Sequence, residues 1–310
     1  MNLKDLKYLL ALAEYRHFGK AAKACSVSQP TLSIQLKKLE QALGVQLFER
    51  GQKRVLITAS GLSIIEQAKH VLSAMNELKR LAKLAKDPFS AELRLGLIPS
   101  LGPYLLPHIL PLIKQQLPKL VLYLYEDKTE ILLTQLNQGN LDAIILALPV
   151  DHKGMTVQTL FKEPFFLVMP VSHLLHHKKE LHLKDLNHAN LLLLEEGHCL
   201  RDQALEVCRK KNNLKEKTNY RATSLETLRN MVASGAGITL LPLLALEEHP
   251  LIVNKPFSAP VPERKIGILW RKDSALEPCC KKLATLIENT LPDVLADLEK
   301  QLKSAKTRRA

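Results

Sequence analysis

At 310 residues, with 46% apolar residues and a formal net charge of +13, the chain is long enough for two or three domains with ordinary hydrophobic cores. Its longest apolar runs stay well short of the ~20 residues that span a bilayer, and acidic residues interrupt the first apolar stretch, unlike a signal peptide. We therefore expect a cytoplasmic protein with no membrane partner. The five cysteines form no disulfide framework, which fits a compartment where thiols stay reduced.

The positive charge is concentrated near the N-terminus. Residues 1–88 carry 15 Lys and Arg against 7 Asp and Glu, a surplus of 8, and the last seven residues form a second basic segment. A basic module favours a polyanion as partner, DNA or RNA. Charge alone does not separate nucleic acid from an anionic membrane surface or from a contribution to solubility.

The first sixty residues have the pattern of a winged helix-turn-helix. Apolar residues recur every three or four positions over residues 3–16, which predicts a first helix. A short second helix is predicted from Phe18 to Cys25, followed by a tight turn at residues 26–28. A third helix is predicted to begin near Pro30, because the missing N–H of proline costs nothing in a first helical turn. Two short strands around the basic turn at residues 51–54 would form the wing.

The third helix of this motif would present its first turns to the major groove of DNA. Polar side chains near its start are candidates for base contacts, and basic residues of the wing are candidates for phosphate contacts, which supply salt-dependent affinity. The alternatives are helix capping for the polar residues and an ordinary solvated surface for the basic ones. The candidate DNA-binding residues are Gln29, Pro30, Thr31, Ser33, Lys37, Arg50, Lys53 and Arg54.

A long helical pattern without proline runs from Thr58 to about Lys86. Such a helix has more apolar surface than it can bury alone, which favours pairing with the same helix of a second subunit. From Ala91 onward, alternating strands and helices indicate parallel sheets of the α/β class in two lobes. The predicted domains are 1–58, a linker helix at 59–88, a domain at 89–303 with lobes at about 89–162 with 268–303 and at 163–267, and a basic tail at 304–310.

The segment from Glu195 to Cys208, EEGHCLRDQALEVC, contains two cysteines nine residues apart. The run after Gly197 suits a helix, and a helix N-terminus or a nearby cation at Cys199 would stabilise a thiolate. In a helix the two Cα atoms would be roughly 13 Å apart, whereas a disulfide needs about 5.5–6 Å. A bond between Cys199 and Cys208 would therefore require loss of the helix. The alternative is that both cysteines are small buried apolar residues.

Several polar residues follow predicted strands. In open α/β sheets, ligands bind beyond the carboxyl ends of the strands, and Ser100, Thr129 and the pair His198 and Cys199 all follow such ends. One cleft could therefore gather these side chains. Cys279 and Cys280 lack a second cysteine or histidine pair at a metal-binding spacing, and we expect no metal and no cofactor.

The segment NLKDLKYLLALAEYRHFGKAAKACSVSQPTLSIQLKKLEQALGVQLFER resembles the N-terminal domain of LysR-type bacterial transcription regulators. The match includes the alanine pair, the S-Q-P-T-L-S run, the L-E-x-x-L-G step and the L-F-x-R that opens the wing. The second half resembles the effector domain of that family, which has the two-lobed shape of periplasmic binding proteins. LEEGHCLRDQA, YRATSLETLRNMVASGAGITLLP and IPSLGPYLLP are similar to its hydrogen-peroxide-sensing members, so the resemblance covers essentially the whole chain.

This resemblance implies roles for individual residues. Cys199 would be the thiol that peroxide oxidises to a sulfenic acid, and Cys208 the thiol that condenses with it to a disulfide. Thr129, His198 and Asp202 would line the peroxide pocket, and Arg264 is the candidate for its cation. Ser100 stands where the family pattern usually has threonine, so the hydroxyl is kept and the methyl group that fixes its rotamer is lost.

The resemblance also implies a regulator and not an enzyme: an activator of antioxidant genes that responds to hydrogen peroxide. The implied partners are double-stranded DNA, RNA polymerase and a thiol reductant of the glutaredoxin or thioredoxin type. It implies a homo-oligomer, a dimer through the linker helices and a tetramer. Two alternatives stay open. One is a regulator whose interlobe cleft binds a small metabolite, and the other is a thiol peroxidase that carries a DNA-binding domain.

Overall fold

The computed structural model describes residues 1–50, 55–84, 89–186, 190–209 and 221–309. At residues 50, 79–84, 206–209, 221 and 303–309 the description covers the backbone alone. Lys53 and Arg54, together with the side chains of Arg50, Cys208 and the basic tail, therefore lie outside the described residues. The chain divides into two compact units, the first spanning Met1–Ala85 and the second taking up most of the remainder.

The N-terminal unit is a helix-turn-helix with a two-stranded wing, as the sequence predicts. The strands β1 and β2 pair antiparallel. Its elements are α1 (Leu3–Tyr15), α2 (Phe18–Ala24), α3 (Gln29–Leu43), β1 (Phe48–Arg50), β2 (Val55–Ile57) and α4 (Ala59–Leu84).

Local capping fixes where α3 begins and ends. The Ser28 side chain accepts a hydrogen bond from the Thr31 amide, and Pro30 lies in the first turn, where no N–H is needed. Gly44 ends the helix in a left-handed conformation with φ of 70°. One face of α3 is buried against α1 and α2, and its apolar residues Leu32, Leu36 and Leu39 belong to the core of this unit.

Helix α4 leaves large apolar side chains uncovered. Leu62, Val71 and Leu78 are 57%, 48% and 68% exposed in the single chain. This matches the expectation of an amphipathic linker helix with more apolar surface than its own unit buries. Within the described ranges, α4 and the other helices lack the combination of length and apolar character that a membrane crossing requires.

The C-terminal unit alternates strands and helices, as predicted for the α/β class. Short 3-10 turns lie at Leu174–His177, Leu183–Leu186 and Leu243–Ala245. The other elements are β3 (Glu92–Leu97), α5 (Gly102–Gln116), β4 (Val121–Glu126), α6 (Thr129–Asn137), β5 (Ala143–Leu148), β6 (Met155–Pro170), β7 (Leu193–Leu194), α7 (Cys199–Arg209), β8 (Arg221–Ala222), α8 (Leu225–Ala233), β9 (Thr239–Pro242), β10 (Ile252–Pro256), β11 (Glu263–Arg271) and α9 (Glu277–Arg309).

The main sheet has the strand order β10-β6-β11-β5-β3-β4, with β9 also paired to β6. Strand β3 is parallel to β4 and β5, but β11 is antiparallel to both β5 and β6. The expectation of parallel sheets is therefore wrong in part, because β11 enters the first lobe against the direction of its neighbours. The sheet is mixed.

Strand β6 runs through both lobes. Its first part, Met155–Pro164, pairs with β11, and its second part, Phe165–Pro170, pairs with β9 and β10. The second part, with Phe165, Leu167 and Met169, belongs to the core on which β7, α7 and α8 also pack. Residues near Pro164 therefore lie where the chain passes from one lobe to the other.

Candidate functional site

The site is built at the edge of the first lobe where its parallel strands end. Ser100 follows β3, and Thr129 is the first residue of α6, directly after β4. Because β11 is antiparallel to β5, the beginning of β11 lies at that same edge, and Lys265 stands opposite Leu148 at the end of β5. Arg264 therefore lies at the start of β11 and contacts Ser100, which follows the end of β3.

Arg264 is the buried cation of this edge. Its Nε donates to Glu163 Oε2 at 2.8 Å, and both side chains are fully buried. Its Nη1 donates to Ser100 Oγ at 3.2 Å and its Nη2 to the Ser100 carbonyl at 3.1 Å. The guanidinium is therefore held on two sides, by a carboxylate from β6 and by the loop after β3.

Glu163, which the sequence reading missed, is the counter-ion of Arg264. The two residues are direct neighbours across β6 and β11. The other carboxylate oxygen, Oε1, accepts from the Leu244 amide at 2.8 Å. Each oxygen therefore satisfies a different buried N–H, as a buried charge requires. The only sequence signal was a charged residue near the apolar run at 165–170, separated from it by Pro164.

Cys199 is the first residue of α7 and carries a free thiol with limited solvent access. Burial raises the pKa of this thiol above its ordinary value. The Arg264 charge, the Thr129 hydroxyl and the Leu200 amide each lower that pKa, and the Asp202 charge adds a small increase. Because burial is the largest of these effects, the resting thiol is protonated at neutral pH, and the cation opposes this without reversing it.

Thr129 supplies a hydroxyl beside the Cys199 sulfur, where it favours the thiolate. Its Oγ1 is buried and has no hydrogen-bond partner of ordinary geometry within the described part of the chain. Buried hydroxyls are nearly always paired, with protein or with water. An unpaired one next to an oxidisable sulfur suits a small polar molecule that binds there.

His198 and Lys128 border the site from opposite lobes. Lys128 Nζ donates to Glu195 Oε1 at 2.9 Å and to the Glu196 carbonyl at 3.0 Å, which joins the start of α6 to the loop before Cys199. His198 is buried, and its Nε2 lies 3.8 Å from Glu195 Oε1. Burial first, and the Lys128 charge second, lower the pKa of His198, whereas Glu195 raises it. His198 is therefore neutral at pH 7. Lys128 was not among the predicted residues.

Asp202 and Arg201 occupy the first turn of α7 but face different surroundings. Asp202 is exposed, and its charge is the smallest of the influences on the pKa of Cys199. Arg201 is buried, donates to the Leu194 carbonyl at 3.2 Å and lies 3.9 Å from Glu196. Arg201 therefore fastens α7 to β7, and Asp202 is the predicted pocket residue least enclosed by the site.

The backbone of α7 separates the two cysteines. The helix spans Cys199–Arg209, so both residues lie within it. Nine residues at about 1.5 Å rise place their Cα atoms roughly 13 Å apart. This exceeds the Cα separation of any disulfide by about 7 Å. The described conformation is a reduced one, and a bond between these residues requires α7 to lose its helical form.

Five of the eight predicted DNA-binding residues lie in α3, four of them in its first two turns and Lys37 further along the helix. Gln29, Pro30, Thr31 and Lys37 are exposed and Ser33 is half-buried. The Thr31 hydroxyl lies 2.7 Å from Ser28 Oγ, so it also takes part in the helix cap. The capping alternative therefore applies to Thr31, while the other exposed side chains remain available to a partner.

Taken together, the first-lobe edge and the start of α7 supply a sulfur nucleophile, a buried cation and an unpaired hydroxyl. This set suits attack on a small polar molecule whose leaving group departs as an anion, because the cation and the donor stabilise the charge that develops. Among the described residues, no group of three or more His, Cys, Asp and Glu side chains could hold a metal ion.

Two family models match this chain. Residues 3–62 match bacterial regulatory helix-turn-helix proteins of the lysR family. Residues 86–292 match the LysR substrate binding domain. Together they account for most of the chain and include both units.

Curated relatives and solved structures agree with these matches. The chain is 47% identical to the "DNA-binding transcriptional dual regulator OxyR" of Escherichia coli K12 over 290 residues, 93% of this chain and 95% of that protein. Full-length OxyR from Pseudomonas aeruginosa, with a cysteine-to-aspartate substitution, matches with a TM-score of 0.72 and 42% identity, over 93% of this chain and 94% of that one. The crystal structures of the reduced and the oxidised form of OxyR each match with a TM-score of 0.61, at 43% and 44% identity. Each match covers 66% of this chain and 98% of the OxyR chain.

Proposed function

Because the chain belongs to the LysR family of bacterial transcription regulators and is a homologue of OxyR, we propose that it is a hydrogen-peroxide-responsive gene activator whose sensing thiol is Cys199. The observation that carries this proposal is the placement of Cys199 beside the Arg264 charge and the unpaired Thr129 hydroxyl. Ser100 contributes by holding Arg264, and His198 lies at the border of the site.

The first chemical step oxidises the thiol. Cys199 gives up its proton, and the thiolate attacks one oxygen of hydrogen peroxide. A sulfur–oxygen bond forms, the oxygen–oxygen bond breaks, and hydroxide leaves and takes up a proton to become water. The sulfur is oxidised to a sulfenic acid and the peroxide is reduced. Arg264 and the Thr129 hydroxyl are suited to stabilise the negative charge as it moves from sulfur to oxygen.

The second step forms a disulfide. The Cys208 thiolate attacks the sulfenic sulfur, a sulfur–sulfur bond forms, and the hydroxyl group leaves as water after taking up a proton. Since both cysteines begin in one helix, this step unfolds α7. The altered segment then changes the packing of the regulatory domain, and with it the contacts of α3 and the wing with double-stranded DNA. A dithiol reductant of the glutaredoxin or thioredoxin type would reset the switch.

Assembly completes the proposed regulator. The exposed apolar residues of α4, Leu62, Val71 and Leu78, support pairing of this helix with its copy in a dimer. A dimer presents two α3 helices to two half-sites of DNA. A tetramer and contact with RNA polymerase are the further assembly that we propose by analogy with the family.

The test is to treat reduced protein with one equivalent of hydrogen peroxide and to identify the products by mass spectrometry. The wild type should yield a 199–208 disulfide, Cys208→Ser a sulfenic acid at Cys199, and Cys199→Ser neither product. Cys25→Ser is the matched control, because Cys25 is a partly buried thiol of the other unit, and it should behave as wild type.

Other results would point elsewhere. Equal thiol loss in wild type and Cys199→Ser would contradict the sensing role and favour a regulator with a metabolite in its cleft. Repeated turnover of peroxide with an unchanged affinity for DNA would favour a thiol peroxidase.

A further inference from the structure

We propose that Glu163 is a positioning residue for the peroxide reaction: as the buried counter-ion of Arg264, it aims the guanidinium and limits how strongly that cation promotes ionisation of Cys199. This inference rests on the proposed function of Cys199. It assigns a role to a carboxylate that need not contact peroxide and that acts through Arg264.

The geometry of the ion pair supports a fixed direction for the cation. Glu163 accepts a hydrogen bond from Arg264 Nε at 2.8 Å, and the hydroxyl and carbonyl oxygens of Ser100 accept from the two terminal nitrogens of Arg264. A guanidinium that is hydrogen-bonded on two edges has little freedom to rotate toward or away from the Cys199 sulfur. The position of the positive charge relative to Cys199 is therefore set by β6 and by the loop after β3.

Glu163 also links the cation to the second lobe. Its Oε1 accepts from the amide of Leu244, which lies in the 3-10 turn after β9. Strand β9 belongs to the second-lobe part of the sheet, and Glu163 lies at the end of the first-lobe part of β6. The carboxylate therefore holds Arg264 at the junction of the lobes.

The charge balance gives the direction of the effect. Arg264 is a fully buried cation that cannot lose its proton in a protein. With Glu163 ionised beside it, the cation is already neutralised and gains less from a Cys199 thiolate. Without that carboxylate, ionisation of Cys199 would supply the missing negative charge. Loss of the Glu163 charge should therefore make Cys199 a stronger acid.

Other charged groups near the site do not replace Glu163. Asp202 on α7 faces solvent and affects Cys199 only weakly. Lys128 and Glu195 pair with each other, and His198 beside them is neutral at pH 7. Glu163 is the carboxylate that the structure pairs directly with the pocket cation.

Glu163→Gln is the main test, in the full-length reduced protein. The pH profile of alkylation of Cys199 by iodoacetamide is followed at the 199 peptide by mass spectrometry, and the peroxide rate is measured separately. The alkylation midpoint should fall by about one pH unit or more, since an opposite charge near an acid lowers its pKa by about 1–3 units. Below the midpoint, the thiolate fraction should rise about tenfold for each unit of that fall.

Asp142→Asn is the matched control. Asp142 is another fully buried carboxylate of the same lobe, paired with Arg94 at 2.7 Å, so its loss also breaks a buried ion pair. A general destabilisation of the first lobe would change the Cys199 alkylation midpoint equally in both variants. The proposed role of Glu163 predicts a lower midpoint in Glu163→Gln alone. A midpoint that is unchanged or higher in Glu163→Gln, or that falls equally in Asp142→Asn, would overturn the proposal.

Glu163→Asp covers the case in which Glu163→Gln does not fold. Aspartate keeps the charge but withdraws it by one methylene, which weakens the contact with Arg264. Its midpoint should lie below that of the wild type, and a midpoint equal to or above wild type would overturn the proposal. A Cys199 that is alkylated but is not oxidised by peroxide would instead defeat the proposed function, because the two readouts are independent.

Discussion

The helix that separates Cys199 from Cys208 offers a quantitative test at Gln203. This residue lies within α7, and its buried Oε1 has no hydrogen-bond partner among the described residues. Removing the side chain therefore breaks no hydrogen bond of that oxygen. Gln203→Ala and Gln203→Gly delete nearly the same atoms. They differ in helix propensity, because glycine is about 0.8–1.0 kcal/mol less favourable than alanine in a helix interior.

The expected magnitude follows from the two redox states. The reduced form contains α7, while a 199–208 disulfide cannot exist within it. Weakening the helix therefore destabilises only the reduced form. About 30 mV corresponds to about 1.4 kcal/mol for a two-electron couple, so the reduction potential of Gln203→Gly should be about 20 mV more negative than that of Gln203→Ala.

The assay is equilibration of each variant in dithiothreitol redox buffers at pH 7, followed by alkylation and mass spectrometry of the two cysteine peptides. Lys282→Ala and Lys282→Gly, at an exposed position of α9, provide the same pair of substitutions in a helix that keeps its form. That pair should show no difference. Equal potentials for the two Gln203 variants would refute the reasoning, since α7 would then contribute nothing to the redox equilibrium.

Three further predictions concern the thiol, the DNA surface and the loop before Cys199. The rate of Cys199 oxidation by peroxide should rise about tenfold per pH unit between about pH 6 and 8, because only the thiolate reacts and burial raises the pKa of the thiol. Quenched-flow alkylation measures this rate. A rate that does not change with pH would contradict the prediction, because Cys199 would then already be a thiolate. Lys37→Ala should reduce the slope of log affinity against log salt for a DNA duplex by about 0.9, because an exposed lysine of α3 that enters the groove also neutralises about one phosphate. Lys265→Ala, at an exposed lysine of β11, should leave that slope unchanged in fluorescence anisotropy titrations. Lys128→Gln should raise the pKa of His198, because the Lys128 charge lowers that pKa. An NMR titration in which the pKa of His198 is the same in the variant as in the wild type, or lower, would contradict this.

One rule of sheet architecture predicts that two of the candidate site residues lie close together. Ser100 and Thr129 come after β3 and β4, and the carboxyl ends of these parallel strands meet at one edge. Cys199 follows β7, which belongs to a separate two-stranded sheet, so the same rule does not place it at that edge. Arg264 was different, because only family resemblance proposed it. The structure supplies the physical reason: β11 is antiparallel to β5, so its first residues reach that same edge. Strand direction depends on pairing, which a local sequence pattern does not contain.

Glu163 and Lys128 were not predicted as site residues from the sequence, for a shared reason. Each is an ordinary charged residue beside another charged residue in the chain, and such residues are usually solvated. What distinguishes them is a partner distant in the chain: Arg264 for Glu163, and Glu195 for Lys128. Long-range pairing of charges is decided by the tertiary fold, so composition and spacing did not identify either pair.

The apolar pattern also does not give the lengths of two strands. The continuous apolar pattern of β6 covers only residues 165–170, although the strand runs from Met155 to Pro170. Pro164 interrupts the pattern because proline cannot donate to a ladder, yet it lies where the strand exchanges one set of partners for another. Conversely, the four leucines at 191–194 yield only the two-residue strand β7.

The speed and the extent of oxidation in the proposed switch depend on different parts of the site. Speed depends on the fraction of Cys199 present as thiolate, which burial, Arg264 and its counter-ion Glu163 determine. Extent depends on the stability of α7, which is present only in the reduced form. At pH 7 the thiol stays protonated even if its pKa falls by one unit, so a change at Glu163 alters the rate while leaving the potential nearly unchanged. A change at Gln203 does the reverse. A sensor of this design can be tuned in sensitivity and in threshold by separate substitutions.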